Sequence, residues 1–206
     1  ILQQILKLSA NRATKREVMI FADSDLVFVR ALAPQSAIRG DLVRLYHRPG
    51  ETKDSTAHLS WHRRAAELLG APPTEYFGAD YIGNLIVWRR SVLMQLQEHI
   101  AKRAGQSWQG AIAHSQHLSE YILYGVYAEH ILGKSGGHYL ASDDWTHASW
   151  HYGAGRAEMA RFSCDLQPHH LAVLMQSTMN LPLAERRALI GAMLAPHSTA
   201  SVGVTS

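Results

Sequence analysis

Short apolar runs of strand type alternate along this chain with longer segments of helical periodicity. Strands are predicted at 18–22 (VMIFA), 26–29 (LVFV), 41–47 (DLVRLYH) and 81–88 (YIGNLIVW). Helices are predicted from the start of the chain to about Ala13 and at 58–69, 89–105, 118–133, 168–178 and 182–194. The uninterrupted run at 18–22 is typical of a strand buried on both faces. Because strands that alternate with helices are typical of parallel sheets, we expect an α/β fold whose mainly parallel sheet is flanked by helices.

The chain divides by composition into three consecutive parts. Residues 1–155 carry the predicted sheet, residues 156–195 form a helical extension, and residues 196–206 are small and polar and are expected to be disordered. Ile1 and Leu2 already belong to an apolar helical pattern, and no initiating Met precedes them. We therefore expect the sequence to be an excerpt of a longer protein whose N-terminal part is missing here.

Composition excludes several classes of protein. With 206 residues and 47% hydrophobic content the chain can bury one sizeable core. It carries 20 basic and 17 acidic side chains without a long Lys/Arg block, so we expect no nucleic-acid groove. No apolar run reaches the roughly 18 residues of a membrane-spanning helix, and no signal peptide opens the chain. The single cysteine, Cys164, suits a reducing compartment, and the formal charge of +3 gives mild attraction to an anionic membrane surface. We expect a soluble, cytoplasmic protein that can lie peripherally at the inner membrane surface.

Two carboxylates stand directly after the first predicted strand. Asp23 and Asp25 follow VMIFA, two residues apart, at what would be the carboxyl end of the strand. In open α/β sheets, ligands bind at this end of the strands. Neighbouring carboxylates repel one another, and a bound Mg²⁺ or Mn²⁺ relieves that repulsion while it bridges to phosphate oxygens. The pattern therefore indicates a metal and diphosphate site, and the structural alternative is a plain turn in which Asp bonds to local amides.

Four segments together resemble a known enzyme family. In chain order they are 3–8 (QQILKL), 18–29 (VMIFADSDLVFV), 80–93 (DYIGNLIVWRRSVL) and 119–127 (SEYILYGVY). Their order and spacing resemble the core of GT-A type glycosyltransferases, and most closely a bacterial branch whose members are mostly uncharacterised. The resemblance implies a GT-A-like fold that lacks part of its N-terminal nucleotide-binding half. It also implies a nucleotide-sugar donor and a carbohydrate acceptor with a free hydroxyl.

The resemblance assigns roles to individual residues of the donor and acceptor sides. It implies that Asp23 and Asp25 bind the donor and a metal, Mn²⁺ or Mg²⁺, and that Lys7 meets the phosphates or the sugar of the donor. An ordinary surface lysine is the alternative for Lys7. Gly83 and Asn84 fall on the strand that resembles the acceptor-side element, where a glycine permits close approach of a ligand or marks a bulge.

The resemblance takes the catalytic base and the last metal ligand from later segments. Glu120 matches the acidic residue that serves as base in inverting members, although an acidic residue in a first helical turn also suits the helix dipole. Those members often have a second acidic residue directly afterwards, where this chain has Tyr121. His147 is the favoured third metal ligand and His151 the alternative, since a neutral imidazole beside two carboxylates suits Mn²⁺.

These residues predict a metal-dependent glycosyltransferase that moves a sugar from a nucleotide-sugar donor to an acceptor hydroxyl. A haloacid-dehalogenase-like phosphotransferase is one alternative, with Asp23 as nucleophile, Asp25 as acid and base, and 142–144 (SDD) as its last acidic motif. Against it, the first motif of that family normally opens its domain, whereas here a helix precedes the motif. A binding protein without catalysis is the other alternative.

Overall fold

The chain folds into two compact units that interleave along the sequence. A computed structural model describes residues 1–113, 115, 117–153, 155–176 and 179–194, with the backbone alone at residues 151 and 156. The first unit consists of Ile1–Asp23 and Leu32–Asp144, and the second of Ser24–Ala31 and Trp145–Ser206. The predicted disordered tail, residues 196–206, lies outside the described residues. The predicted domain boundaries at residues 155 and 195 stay a prediction.

Helices and short strands occur in both units. In chain order the helices are α1 (Leu2–Leu8), α2 (Pro34–Ala37), α3 (Thr56–Leu69), α4 (Arg90–Ala104), α5 (Trp108–Ala113), α6 (Glu120–Val126), α7 (Arg156–Cys164) and α8 (Leu183–Leu194). The strands are β1 (Val18–Ala22), β2 (Leu26–Phe28), β3 (Ile38–Arg39), β4 (Leu42–Tyr46), β5 (Arg48–Pro49), β6 (Ala79–Asp80), β7 (Leu85–Arg89), β8 (His138–Ala141), β9 (Thr146–Ala148) and β10 (Ala172–Leu174). Short 3₁₀ turns lie at Ala10–Arg12, Gly133–Gly136 and Ser149–His151, and a π-helix, Tyr127–Leu132, continues α6. Within the described ranges no helix has the length and hydropathy of a transmembrane span.

Within the described residues the strands pair into four small sheets. In the first unit β1 pairs with β7, β4 lies between β3 and β8, and β5 pairs with β6; in the second unit β10 lies between β2 and β9. Four of these strand pairs are antiparallel, and two, β4 with β8 and β9 with β10, are parallel. The predicted GT-A-like, mainly parallel sheet is therefore wrong. The apolar pattern of a strand indicates where the strand lies, but the direction of its partner depends on long connections that the pattern does not contain.

The strand that precedes Asp23 is half exposed. Met19 is buried whereas Ile20 is 45% exposed, so burial on both faces of this run is a wrong prediction. Strand β1 pairs with β7 in the register Val18↔Arg89 to Ala22↔Leu85. An apolar run alone does not reveal whether a second layer covers the outer face of a strand.

The core of the first unit joins the elements that carry Lys7, Asp23 and Glu120. Trp88 of β7 stacks on Tyr124 of α6 with 4.4 Å between ring centroids, and both side chains are buried. Leu8, at the end of α1, lies in the same hydrophobic cluster. Packing of α1, β7 and α6 on one core therefore sets the relative positions of the three charged residues.

Capping residues mark the start of α6 and the end of α4. Ser119 Oγ accepts a hydrogen bond from the Ile122 amide at 3.3 Å, so α6 begins at Glu120. Helix α4 ends at Gly105, whose φ of 63° costs a glycine little. The helix predicted at 89–105 is confirmed. The helix predicted at 118–133 is divided into α6 and the π-helix, a form that is frequent at functional sites.

The second unit has a separate small core. Phe162 of α7 and Val173 of β10 are completely buried in one cluster. The helix predicted at 168–178 is wrong, because Ala172–Leu174 is a strand that pairs with β2 and β9. A short apolar run fits a strand and a buried helix equally well, and here the pairing on both sides decides the outcome. The helix predicted at 182–194 is confirmed as α8.

Candidate functional site

A lysine, two carboxylates and a tyrosine from distant parts of the sequence meet in the first unit. The Lys7 Nζ atom lies 3.0 Å from Asp23 Oδ1 and 3.4 Å from Glu120 Oε1. The same ammonium donates a hydrogen bond to the hydroxyl of Tyr121. We call these four residues the lysine cluster. It brings together three residues predicted for donor binding and catalysis, and it adds Tyr121, which the sequence marked only as a departure from the resembled family.

Strand pairing and helix packing hold the lysine cluster in place. Lys7 lies in the last turn of α1. The residue that follows it, Leu8, is buried in the core. Asp23 directly follows β1, and its backbone N–H donates to the Asn84 carbonyl at 3.0 Å, which extends the pairing of β1 with β7 by one residue. Glu120 is the first residue of α6. Because α1, β1 and α6 pack on one core, the side chains of Lys7, Asp23 and Glu120 converge.

The lysine cluster is shielded from water and carries excess negative charge. The side chains of Lys7, Asp23 and Glu120 are 15%, 25% and 6% exposed. One ammonium faces two carboxylates, so one negative charge is left over, and charges act more strongly on each other where water is partly excluded. The arrangement therefore favours ligand hydroxyl groups, which donate hydrogen bonds to carboxylates, over a free anion.

The surroundings keep Lys7 and Tyr121 protonated. Burial alone would lower the pKa of Lys7, but hydrogen bonds to Tyr121 and Asp23 and the charge of Glu120 outweigh it and raise this pKa above its usual value. Burial raises the pKa of the Tyr121 phenol to about 12, against the opposing effect of Lys7. At neutral pH Lys7 is therefore a cation, and Tyr121 is a hydroxyl that donates to Asp23 Oδ1 at 3.4 Å.

Two of the predicted metal ligands belong to the second unit. Asp25 is an exposed residue directly before β2. His147 is buried on β9, where its ring stacks on Phe162 with 4.3 Å between centroids. Its Nε2 atom lies 2.7 Å from the carbonyl oxygen of Phe162, and this oxygen accepts the hydrogen bond. The side chain of His151 lies outside the described part of the chain.

The described side chains contain no ready-made metal centre. Among the side chains that the structure describes, no three His, Cys, Asp or Glu groups are placed so that they could hold a metal ion. Asp23 pairs with the ammonium of Lys7 instead. Asp23 belongs to the first unit and Asp25 and His147 to the second, and the Mn²⁺ or Mg²⁺ that these three residues are predicted to bind stays a prediction.

Packing accounts for the glycine in the predicted acceptor-side segment. A Cβ atom on Gly83 would lie 3.0 Å from Ile86 Cγ2 and 3.2 Å from Tyr46 Cδ1, which is tighter than ordinary contacts. Gly83 thus lets the chain pass close to the Tyr46 ring. The carbonyl oxygen of the next residue, Asn84, accepts a hydrogen bond from the Asp23 amide, so this segment borders the lysine cluster. Its role in acceptor binding stays a prediction.

One family model matches almost the whole chain. It is described as a family of unknown function, DUF6492, and it matches residues 1–196. The chain belongs to this family. The description of DUF6492 names no activity, so it adds no support to the glycosyltransferase resemblance. No curated protein matches the chain.

Sequence reasoning misses a second polar group in the first unit of this DUF6492 member. Asp80 accepts a hydrogen bond from His58 Nδ1 at 2.6 Å. The Tyr81 hydroxyl donates to Glu129 Oε2 at 2.9 Å, and His47 Nε2 lies 3.4 Å from the same carboxylate. The sequence signal that points to this polar group is the HLSWH run at 58–62, because histidines four residues apart share one face of a helix. The carboxylates that complete the group come from other segments, so the run alone does not identify it.

Proposed function

We propose that this protein transfers a glycosyl group from a nucleotide-sugar donor to the hydroxyl of a carbohydrate acceptor. The main supporting observation is that the Lys7 ammonium lies within 3.4 Å of both Asp23 and Glu120. The resemblance implies donor or catalytic roles for all three residues, and no local pattern requires them to be neighbours. The proposal concerns the chemistry of this site and does not include a GT-A fold.

Asp23 is the proposed contact with the donor. Its side chain is the most exposed of the three charged groups, at 25%, so it is the one best placed to meet a ligand from solvent. A carboxylate accepts hydrogen bonds from the hydroxyls of a ribose or a transferred sugar. The Tyr121 hydroxyl and the Lys7 ammonium hold this carboxylate from the protein side. Asp23 therefore presents a preorganised hydrogen-bond acceptor to the hydroxyl groups of the nucleotide sugar.

Glu120 is the proposed general base for the acceptor hydroxyl. Its side chain is 6% exposed, so little water competes for its carboxylate. In an inverting transfer the acceptor oxygen bonds to the anomeric carbon, while the bond from that carbon to the diphosphate oxygen breaks. The electron pair of the broken bond leaves with the nucleoside diphosphate, and the hydroxyl proton passes to Glu120.

A screen of the complete protein against nucleotide sugars, in the presence and absence of Mn²⁺, tests the proposal through release of nucleoside diphosphate. We expect Asp23→Asn and Glu120→Gln to reduce the release rate by about 10²-fold or more, as expected for loss of a donor contact or a base. Asp54→Asn and Glu98→Gln, at exposed positions of the same unit, are the matched controls. Undiminished release by folded Asp23→Asn and Glu120→Gln variants would contradict the assignment.

The two alternative functions give different results with the same variants. A phosphotransferase would release phosphate from p-nitrophenyl phosphate and lose that activity in Asp23→Asn. Its last acidic motif would include Asp143, which instead pairs with buried Arg44 at 3.4 Å. A binding protein would be stabilised against heat by a nucleoside diphosphate and would release none from a nucleotide sugar.

A further inference from the structure

Charged and polar groups of the protein surround the ammonium of Lys7 in the lysine cluster. The ammonium donates hydrogen bonds to Asp23 Oδ1 at 3.0 Å and to the Tyr121 hydroxyl, and Glu120 Oε1 lies 3.4 Å away in a salt bridge. The Nζ atom also lies 4.3 Å from the centre of the Tyr121 ring, whose face attracts cations. A donor phosphate at Lys7 would therefore compete with charged and polar partners that the protein already supplies.

Lys7 is also the counter-charge of both carboxylates. Among the residues that the structure describes, Asp23 and Glu120 form salt bridges with Lys7 and with no other basic side chain. Without the ammonium, the two carboxylates would face each other in a shielded site, where like charges repel strongly. Lys7 thus offsets the repulsion between the two carboxylates and holds them near each other.

We propose that Lys7 is a positioning residue of the transfer site and does not bind the donor phosphates. Its ammonium holds the donor-facing Asp23 and the acceptor-facing Glu120 at a set separation, so that both act on one sugar. This inference rests on the function proposed above and replaces the phosphate contact that the family resemblance implies for Lys7.

Steady-state kinetics with the donor found in the screen distinguish the two roles of Lys7. For Lys7→Met we expect kcat to fall by about tenfold or more while KM for the donor changes by less than about twofold. Lys7→Arg retains the charge and should recover part of kcat. Lys15→Met, at an exposed position, is the control for loss of a lysine. A large rise in donor KM with unchanged kcat would identify Lys7 as a phosphate ligand and overturn the proposal.

A second measurement needs no glycosyl transfer, so it separates failure of this inference from failure of the proposed function. Removal of the ammonium leaves Asp23 and Glu120 able to share an added cation. We therefore expect Lys7→Met, or Lys7→Gln if that variant does not fold, to bind Mn²⁺ about tenfold or more tightly than the wild type. A titration with Mn²⁺, in which electron paramagnetic resonance monitors the free metal ion, measures this affinity.

The same titration can refute the positioning role of Lys7. The gain in Mn²⁺ affinity should disappear when Asp23→Asn is added to the Lys7 variant. Circular dichroism establishes that each variant is folded to the same extent as the wild type. Equal Mn²⁺ affinity of the wild type and the folded Lys7 variant overturns the inference, whether or not the protein releases nucleoside diphosphate.

Discussion

Tyr81 lies so close to Gly125 of α6 that a side chain at this glycine would overlap the tyrosine ring. The Tyr81 hydroxyl also donates to Glu129 at 2.9 Å, in the π-helix that continues α6. Two contacts thus join Tyr81 to the helical segment that begins at Glu120. The chain that leads from Tyr81 to Asn84, next to Asp23, is thereby held beside the lysine cluster.

The first prediction concerns this close packing. Gly125→Ala should lower the free energy of unfolding by about 1–3 kcal/mol, because the added methyl group must displace a buried ring or the helix. Gly191→Ala in α8 is the matched control, since no described residue outside the adjoining backbone of this helix lies within 4 Å of the added Cβ. It should be neutral or stabilise by up to about 1 kcal/mol, as alanine favours a helix. Urea denaturation measures both, and equal effects of the two substitutions would argue against the overlap.

The second prediction concerns the hydroxyl of Tyr121. Tyr121→Phe keeps the ring beside Lys7 but removes a hydrogen-bond partner of a charged group, which should lower the free energy of unfolding by about 1.5–3 kcal/mol. Tyr139→Phe is the comparison, because the Tyr139 hydroxyl donates to a neutral carbonyl, that of Ser36, at 2.9 Å. Its loss should cost about 0.5–1.5 kcal/mol. Urea denaturation that shows a smaller loss for Tyr121→Phe would contradict the charged hydrogen bond.

The third prediction is a loss of stability in acid caused by His62. The imidazole is completely buried, neither ring nitrogen has a hydrogen-bond partner among the described residues, and burial lowers its pKa to about 4. An ordinary pKa of 6.5 in the unfolded chain means that the unfolded state binds more protons between these two pH values. The free energy of unfolding therefore contains the full contribution of neutral His62 above pH 6.5. It loses this contribution, about 3 kcal/mol in all, as the pH falls toward 4.

Urea denaturation across this pH range measures the effect of His62. His62→Leu removes the titrating group and should flatten part of the pH dependence of the free energy of unfolding. His138, whose pKa burial also lowers to about 4, should account for a remaining slope. His117→Gln, at an exposed position, is the control. An unchanged pH dependence in folded His62→Leu would contradict the prediction.

The fourth prediction concerns the buried carboxylate of Asp80. It accepts hydrogen bonds from His58 Nδ1 at 2.6 Å and from the Ile82 amide at 2.7 Å. Asp80→Ala leaves both donors without their acceptor and should lower the free energy of unfolding by about 2–4 kcal/mol. Asp54→Ala, at an exposed position, should change it by less than about 0.5 kcal/mol. Thermal and urea unfolding that show similar effects for the two variants would contradict the importance of this pair.

Elements whose signals are local were predictable from the sequence. Helix α4 is the clearest example, since its apolar spacing and the stop at Gly105 are both found within a few residues. The strand before Asp23 also forms where the apolar run predicts it. The antiparallel pairing of this strand with β7 was not predictable, because the two segments are far apart in the chain and their apolar patterns fit either direction.

The candidate site shows the same division between local and distant information. Asp23 was a candidate through its position after an apolar strand, and Lys7 and Glu120 were candidates through the family resemblance alone. No sequence pattern gave a reason to add Tyr121, whose hydroxyl enters the lysine cluster only because α1 and α6 pack on one core. Sequence spacing placed Asp25 beside Asp23, yet the two residues belong to different compact units.

The sequence by itself determined most of the helices and the strand that leads to Asp23. These features depend on periodicity and capping among residues that are close along the chain. Only the tertiary structure decided the strand directions, the strand at Ala172–Leu174 and the meeting of Lys7 with two carboxylates. The physical reason is that burial and hydrogen bonding between distant segments select these pairings, and short local patterns are compatible with several of them.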